Sequence, residues 1–281
     1  MGSTVDLKRV TNTLALGALW LAALSTVAVL GTLILYVVVK GVGALSLEFI
    51  FTAPHGVRAE GGIGPTIVAT VYVTGLAMLI VTPVAVLAAV YLAEYATQGR
   101  LVRAIRFAAD SLASVPSIVM GLFGFALFVE AMHLGFSMLS AALALSFLML
   151  PIVMRTTEEA IRAVPKYIRW GSYGLGATKW QTVRRTVLPA ATPRIITGVI
   201  LATGRAVGET AVVIYTMGTS INLPVSPLDS GRSMTTHLYI LATEGINLQT
   251  AYGTALLLMV MILSFNLAAR LIVRKNRRIQ G

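Results

Sequence analysis

Long unbroken apolar runs alternate with short polar or basic segments along the whole chain, and each run has the length of a bilayer-crossing helix. Six runs qualify: residues about 14–39, 63–93, 105–129, 136–154, 193–218 and 251–273. The pattern predicts an all-α integral membrane protein with six transmembrane helices, a short leading segment 1–13 and a tail 274–281. Between the fourth and fifth runs lies a basic loop, 155–189. Within it residues 158–164 read as helix, Pro165 interrupts, 167–175 resume, and Gly176 supplies a backbone break. Residues 178–187 then form a further helix expected to end at Leu188-Pro189. Two short helices about a glycine make a protruding elbow. The competing reading is an amphipathic segment on the lipid headgroups, with Tyr167, Trp170 and Trp180 at the interface. The outer segment 219–248 starts turn-rich, with Asn222, Pro224, Pro227, Asp229 and Gly231, and becomes less polar over 234–242, which fits a short outer helix or a loop.

Composition agrees with the spans: 57% of residues are hydrophobic and only 12% charged. The net charge of +11 would suit a nucleic-acid partner, so placement decides its meaning. Eighteen Lys and Arg fall on the side of the two termini and the basic loop, three (Lys40, Arg58, Arg232) on the other, and Arg205 inside a span. That asymmetry is the positive-inside pattern: a multi-pass protein of the plasma (inner) membrane with both termini cytoplasmic. The basic tail reads as an anchor to anionic membrane lipids, with no nucleic acid involved. No cysteine occurs, which removes disulfides and thiolate ligands or nucleophiles. His55, His133 and His237 lack ligand spacing and are taken as outer loop residues, so no metal is expected. The first apolar run is too long for a signal peptide and is expected to remain as a span.

Arg205 and Glu209 are the charges past the entrance of the fifth run. With Pro193 at the first helical turn, a rise of about 1.5 Å per residue puts Arg205 roughly 18 Å in, near the centre of a hydrocarbon core about 30 Å thick. An arginine there costs about 2.5–3.5 kcal/mol on insertion scales, so such residues face a bundle interior or a wet cavity. Helical spacing puts Glu209 one turn further along the same face. Two readings stand: an anion path, or an ion pair that only cements helix packing. Gly204 and Gly208 flank the arginine, either as a packing stripe or as room that widens an anion path. Pro83 and Pro116 are expected kinks, and Ser114, Ser117 and Thr210 carry hydroxyls that either line a path or bond back to their own helix.

The run Ser172-Tyr173-Gly174-Leu175-Gly176-Ala177-Thr178-Lys179-Trp180-Gln181, followed by Val187-Leu188-Pro189, resembles the EAA loop of ABC importer permeases, although Trp170 stands where that family usually has a glutamate. The segment Thr203-Gly204-Arg205-Ala206-Val207-Gly208-Glu209-Thr210-Ala211 resembles the R-A-x-G-E-T-A block of phosphate-specific ABC permeases. Residues 114–124 are similar to their third-span signature. Glu158-Glu159-Ala160, Ala163-Val164-Pro165 and Met234-Thr235-Thr236 fit the A-type half. The resemblance implies a six-helix type I permease in which Tyr173, Gly174, Leu175, Gly176 and Ala177 dock on an ATP-binding subunit. Inorganic phosphate would pass Arg205, Glu209 and Thr210. The implied partners are a second permease half, two ATP-binding subunits and an external phosphate-binding protein. A guanidinium offers phosphate two parallel charge-assisted donors, which lysine does not.

No G-x-x-x-x-G-K-[ST] loop occurs, so ATP and Mg belong on the partner and this chain is expected to hold no cofactor and to be no enzyme. A permease for another oxyanion, or the sister half, remains within the resemblance. From a different class, an ion-coupled carrier or channel would use Arg205 and Glu209 as gate groups, but the chain shows no internal repeat and does carry the Gly176 elbow.

Overall fold

The computed structural model describes residues 3–55, 60–97 and 99–277, with side chains over 12–54, 61–97 and 99–271. Arg58, the side chains of Lys8 and His55, and the tail side chains from Arg274 onward lie outside the described residues. Helix α1 (Ser3–Val42) starts well before the first apolar run and packs chiefly on the last helix, α12 (Leu248–Arg277). There the Tyr36 and Tyr252 rings meet edge-on at 5.7 Å, and a side-chain carbon at Gly41 would lie 2.6 Å from the Tyr252 carbonyl oxygen. A short helix, α2 (Leu47–Phe51), and a ribbon of two two-residue strands, β1 (Pro54–His55) and β2 (Glu60–Gly61), lead to the next span.

The core is the pairing of α3 (Gly64–Val90) with α6 (Met138–Arg162). On α3 the residues Ala69, Val73, Ala77, Val81 and Ala85 recur at helical spacing, and small side chains let α6 approach closely with Ala141, Ala144, Leu145 and Leu148. Ser146 Oγ crosses that interface to the Ala77 carbonyl at 3.0 Å. Helix α3 closes in a π-helical turn, Tyr91–Tyr95. Helix α6 runs to Arg162, two turns beyond the apolar run 136–154, so the elbow starts later than the hydropathy alone suggests.

Two spans expected as single rods are broken. The third consists of α4 (Arg100–Ser114) and α5 (Ser117–Gly124, extended by a π-helical stretch to Ala131), which meet at 102°. The cause is Pro116. Proline drives its predecessor out of the α region, and Val115 is extended at φ −66°, ψ 130°. Pro83, by contrast, lies inside a continuous α3.

In the fifth span, α8 (Lys179–Thr182), a π-helical turn Val183–Val187 and α9 (Leu188–Val207) form one continuous rod. The helix expected to end at Leu188-Pro189 therefore does not end, and Pro193 sits inside α9 rather than at its first turn. The π turn just before Pro189 changes the hydrogen-bond register there, which lets a residue without an N–H be carried through. The rod stops instead at Val207, and α10 (Ala211–Met217) resumes after three residues. Beyond it the outer segment folds back as α11 (Met234–Thr243), the helical alternative of the two expected there. Among the described residues five helices are long and apolar enough to span, six if the bent pair α4–α5 is one span.

Candidate functional site

The break in the fifth span is held from two sides. A side-chain carbon at Gly121 of α5 would lie 2.8 Å from the Ala211 carbonyl oxygen, so only glycine allows α5 to pass this close. From α11, Thr235 Oγ1 donates to the Glu209 carbonyl at 2.9 Å. Behind Thr235 stands a network of hydroxyls: Ser233 Oγ lies 2.8 Å from Thr235 Oγ1 and 3.0 Å from Thr236 Oγ1, and the Met234 N–H donates to Thr70 Oγ1 of α3 at 2.8 Å.

Arg205 therefore lies in the last turn of α9, while Glu209 lies in the break. The expectation of two residues on one face of one helix is corrected: helical geometry ends between them, because Gly208 caps α9 and the Thr235 bond fixes the backbone at Glu209. They still face one another, with Nε to Oε1 at 3.9 Å, beyond hydrogen-bond range. Glu209 is 13% exposed and Arg205 is 59% exposed. The guanidinium therefore points away from this chain's own core with its donors open. Thr210 caps α10 through its position alone, making no side-chain capping bond.

Gly204 and Gly208 face α12, where a side-chain carbon would meet Phe265 Cβ at 3.7 Å and Ile262 Cδ1 at 3.9 Å, ordinary contact distances. The tight glycine of α9 is Gly198, where a side-chain carbon would lie 2.5 Å from Thr156 Oγ1 of α6. Ser114 bonds back to the Ser111 carbonyl at 2.7 Å. His133 occupies a turn at φ 54°, as a loop residue would. His237 does not: it is helical, fully buried in α11, and its Nδ1 lies 3.4 Å from Arg232 Nη1. Arg232 Nε in turn donates to the Thr219 carbonyl at 2.9 Å, and the Val225 and Ser226 N–H groups both donate to Asp229 Oδ2, which holds that carboxyl below its usual range. Ser233, Thr235 and Thr236, ahead of a weakly apolar stretch, are the sequence signal for this folded-back helix.

At the other end of α6, α7 (Lys166–Gly174) and α8 build the elbow. Gly176 takes φ +80°, the left-handed conformation that ends α7, and Thr178 with Gln181 forms a capping box that starts α8. The tip is apolar and open, with Leu175 at 91% exposure and Tyr173 and Trp180 also exposed. Its base is fixed. Arg169 reaches Glu94 in the π turn of α3 through Nε at 3.0 Å and Nη2 at 2.6 Å, and also donates to the Ile161 and Val164 carbonyls. Lys179 Nζ sits 4.9 Å from the centre of the Tyr95 ring.

The family model described as binding-protein-dependent transport system inner membrane component matches residues 82–278. The chain belongs to this family. Members resembling it include the probable ABC transporter permease protein YqgI of Bacillus subtilis, 37% identical over 94% of this chain and 95% of the relative. The phosphate transport system permease protein PstA 1 of Mycobacterium tuberculosis is 38% identical over 78% of this chain and 73% of its own length. Among solved structures, a bacterial alginate ABC transporter in complex with an alginate pentasaccharide-bound periplasmic protein superposes at a TM-score of 0.69, with 15% identity over 95% of this chain and 96% of that one. Within the family fold the chain is a multi-pass permease subunit of the type I ABC importer class.

Proposed function

We propose that this chain is one half of the membrane path of an ATP-driven importer of inorganic phosphate, the half that corresponds to the PstA relatives. The observation that carries the reading is Arg205, held at a break in the fifth span with its guanidinium exposed away from the chain's own core. Within the hydrocarbon core that exposure must meet a path or a partner, since lipid tails offer a guanidinium no hydrogen bond. A second permease half across the path supplies the other wall. Phosphate, a tetrahedral oxyanion, takes two parallel N–H bonds from the guanidinium, while Glu209 holds the arginine when the path is empty. Thr210 lies beside them at the start of α10.

Residues Tyr173, Gly174, Leu175, Gly176 and Ala177 dock the elbow on an ATP-binding subunit, one of two, where ATP and Mg bind and hydrolysis takes place. An external phosphate-binding protein loads the path. The assembly sits in the plasma (inner) membrane with both termini of this chain in the cytoplasm, which the eighteen-to-three distribution of basic residues supports. Closure of the ATP-binding pair moves the elbow, and rigid-body rotation of the spans switches access.

The test is labelled-phosphate uptake per assembled complex for three variants. Arg205→Lys keeps the charge but loses the fork, and uptake is expected to fall at least tenfold with assembly intact. Arg205→Gln falls further. Arg205→Gln with Glu209→Gln removes the stranded carboxylate, so it restores abundance without restoring uptake. A double variant that transports at the parental rate removes Arg205 from the path.

A further inference from the structure

Helix α9 has two different sides. Ala191, Ile195, Gly198, Ala202 and Ala206 are buried in a helix that packs on both α12 and α6, while Ala190, Arg194, Thr197, Leu201, Arg205 and Gly208 form a stripe in which no residue is buried. Eleven residues separate Arg194 from Arg205, which is about three full turns, so the two guanidiniums share one face about 16 Å apart along the axis. Arg194 opens on a cleft of about 470 Å³ between the end of α6, α7 and α9, lined also by Ala163, Val164, Tyr167, Ile168 and Ala190. No carboxylate lines it.

Among the described residues four arginines at the same end of the bundle are paired with carboxylates, whereas Arg194, like Arg184 and Arg185, is not. Arg106 and Arg162 are bound to Glu158 at 2.9 and 2.7 Å, Arg155 to Asp110 at 3.1 Å, and Arg169 to Glu94 at 2.6 Å. Among the described residues Arg194 makes no hydrogen bond or ion pair. An unpaired guanidinium in a cleft lined mostly by apolar side chains and without a carboxylate suits a small oxyanion.

We propose that this cleft is a second phosphate site at the inner mouth of the path, with Arg194 as its donor, receiving the anion that leaves Arg205. The inference rests on the reading of Arg205 as a path residue. Its physical basis is the step between the stations. Along the stripe between them Thr197 spends its hydroxyl on the Pro193 carbonyl and Leu201 is apolar, so an anion leaving Arg205 finds its next charged donor at Arg194. Conduction needs sites weak enough to leave and close enough to hand over, and Arg194, with no carboxylate to expel, fills the second position.

A lipid headgroup offers the same phosphate chemistry, and the experiment separates the two sources. Assembled complex, free of nucleotide and of binding protein, is placed in phosphatidylcholine discs and titrated with radiolabelled inorganic phosphate by equilibrium dialysis. The variant carrying both Arg194→Gln and Arg205→Gln gives the background. Arg194→Gln is expected to weaken phosphate binding at that station by tenfold or more, and Arg194→Lys, which keeps the charge, to weaken it several-fold. Should Arg194→Gln fail to assemble, the lysine variant carries the test. A titration unchanged by either Arg194 variant, while Arg205→Gln weakens it, overturns the second site and leaves the path reading standing. An unchanged titration with Arg205→Gln overturns the path reading and this inference with it. Binding that depends on Arg194 only when phosphatidylglycerol is present in the discs assigns the cleft to lipid and overturns the proposal.

Discussion

Replacing Glu94 with Leu should loosen the elbow without touching its docking surface. Arg169 is 15% exposed and Glu94 8%, so the pair is nearly dry, and solvent screening takes little from it. Two charge-assisted bonds at 2.6 and 3.0 Å tie the base of α7 to the end of α3. Removing one member of a buried pair costs about 3–5 kcal/mol, because the other is left buried and unpaired. Here the Ile161 and Val164 carbonyls still accept from the guanidinium, which argues for the lower figure. At about 1.4 kcal/mol per tenfold, a loss of about 3 kcal/mol raises the opening equilibrium of the elbow about 150-fold. Hydrogen exchange reads this directly: amides of Lys166–Gly174 in the purified complex should exchange about 150-fold faster, while α3 and α6 keep their protection. Uptake should fall together with the coupling of ATP turnover to phosphate. Glu94→Leu with Arg169→Leu should recover part of the protection, since no charge is then stranded, but not all of it, since the Ile161 and Val164 carbonyls lose their donor. Unchanged α7 exchange in Glu94→Leu would refute the idea that this pair pins the elbow.

Gly176→Val forces a β-branched residue into φ +80° at a cost of about 1–2 kcal/mol; with open space around that position, the damage is to backbone direction rather than packing. Retention of the ATP-binding subunit on purification should drop, or be kept with transport uncoupled, whereas parental values for both would return the elbow to a lipid-surface role. Gly198→Leu should overpack the contact between α9 and Thr156 by about 1–3 kcal/mol, seen as a lower unfolding midpoint and lower yield of the assembled complex, and Thr156→Ala in the same chain should recover part of it.

Features that depend on local order in the chain are legible in the residues. The apolar runs, the break at Gly176 and the charge pair Arg205 and Glu209 all act over a few positions, and hydropathy or turn chemistry reports them, while the capping box of Thr178 and Gln181 emerges only in the structure. Pro116 predicts a kinked helix, but a bend of 102° depends on α4 turning to meet α6 through Arg106–Glu158 and Asp110–Arg155, partners about fifty residues away. Continuity through Pro189 escapes a reading of residues because proline usually ends a helix, and the π turn that carries the rod past it has no simple sequence mark. His237 reads as a loop residue because short apolar stretches do not reveal that they fold back into a bundle.

The break at Gly208 is the least legible feature and bears most on the chemistry. An uninterrupted helix would hold Arg205 and Glu209 as a closed i,i+4 pair, each satisfying the other, and would leave little for an anion to bind. With the helix ended between them, Arg205 lies in the last turn of α9, where carbonyl groups favour a cation, and Glu209 lies just ahead of α10, where N–H groups favour an anion. Each charge stands at a helix end of opposite partial charge, and Arg205 remains the charge that faces Glu209. The pair can then stand 3.9 Å apart, loose enough that the guanidinium keeps its donors open. Contacts from Gly121 and Thr235 hold the break, so substitutions there should weaken anion binding without touching either charge. On the proposed reading, the path in this chain is shaped by an interruption that tertiary packing imposes on an otherwise ordinary span.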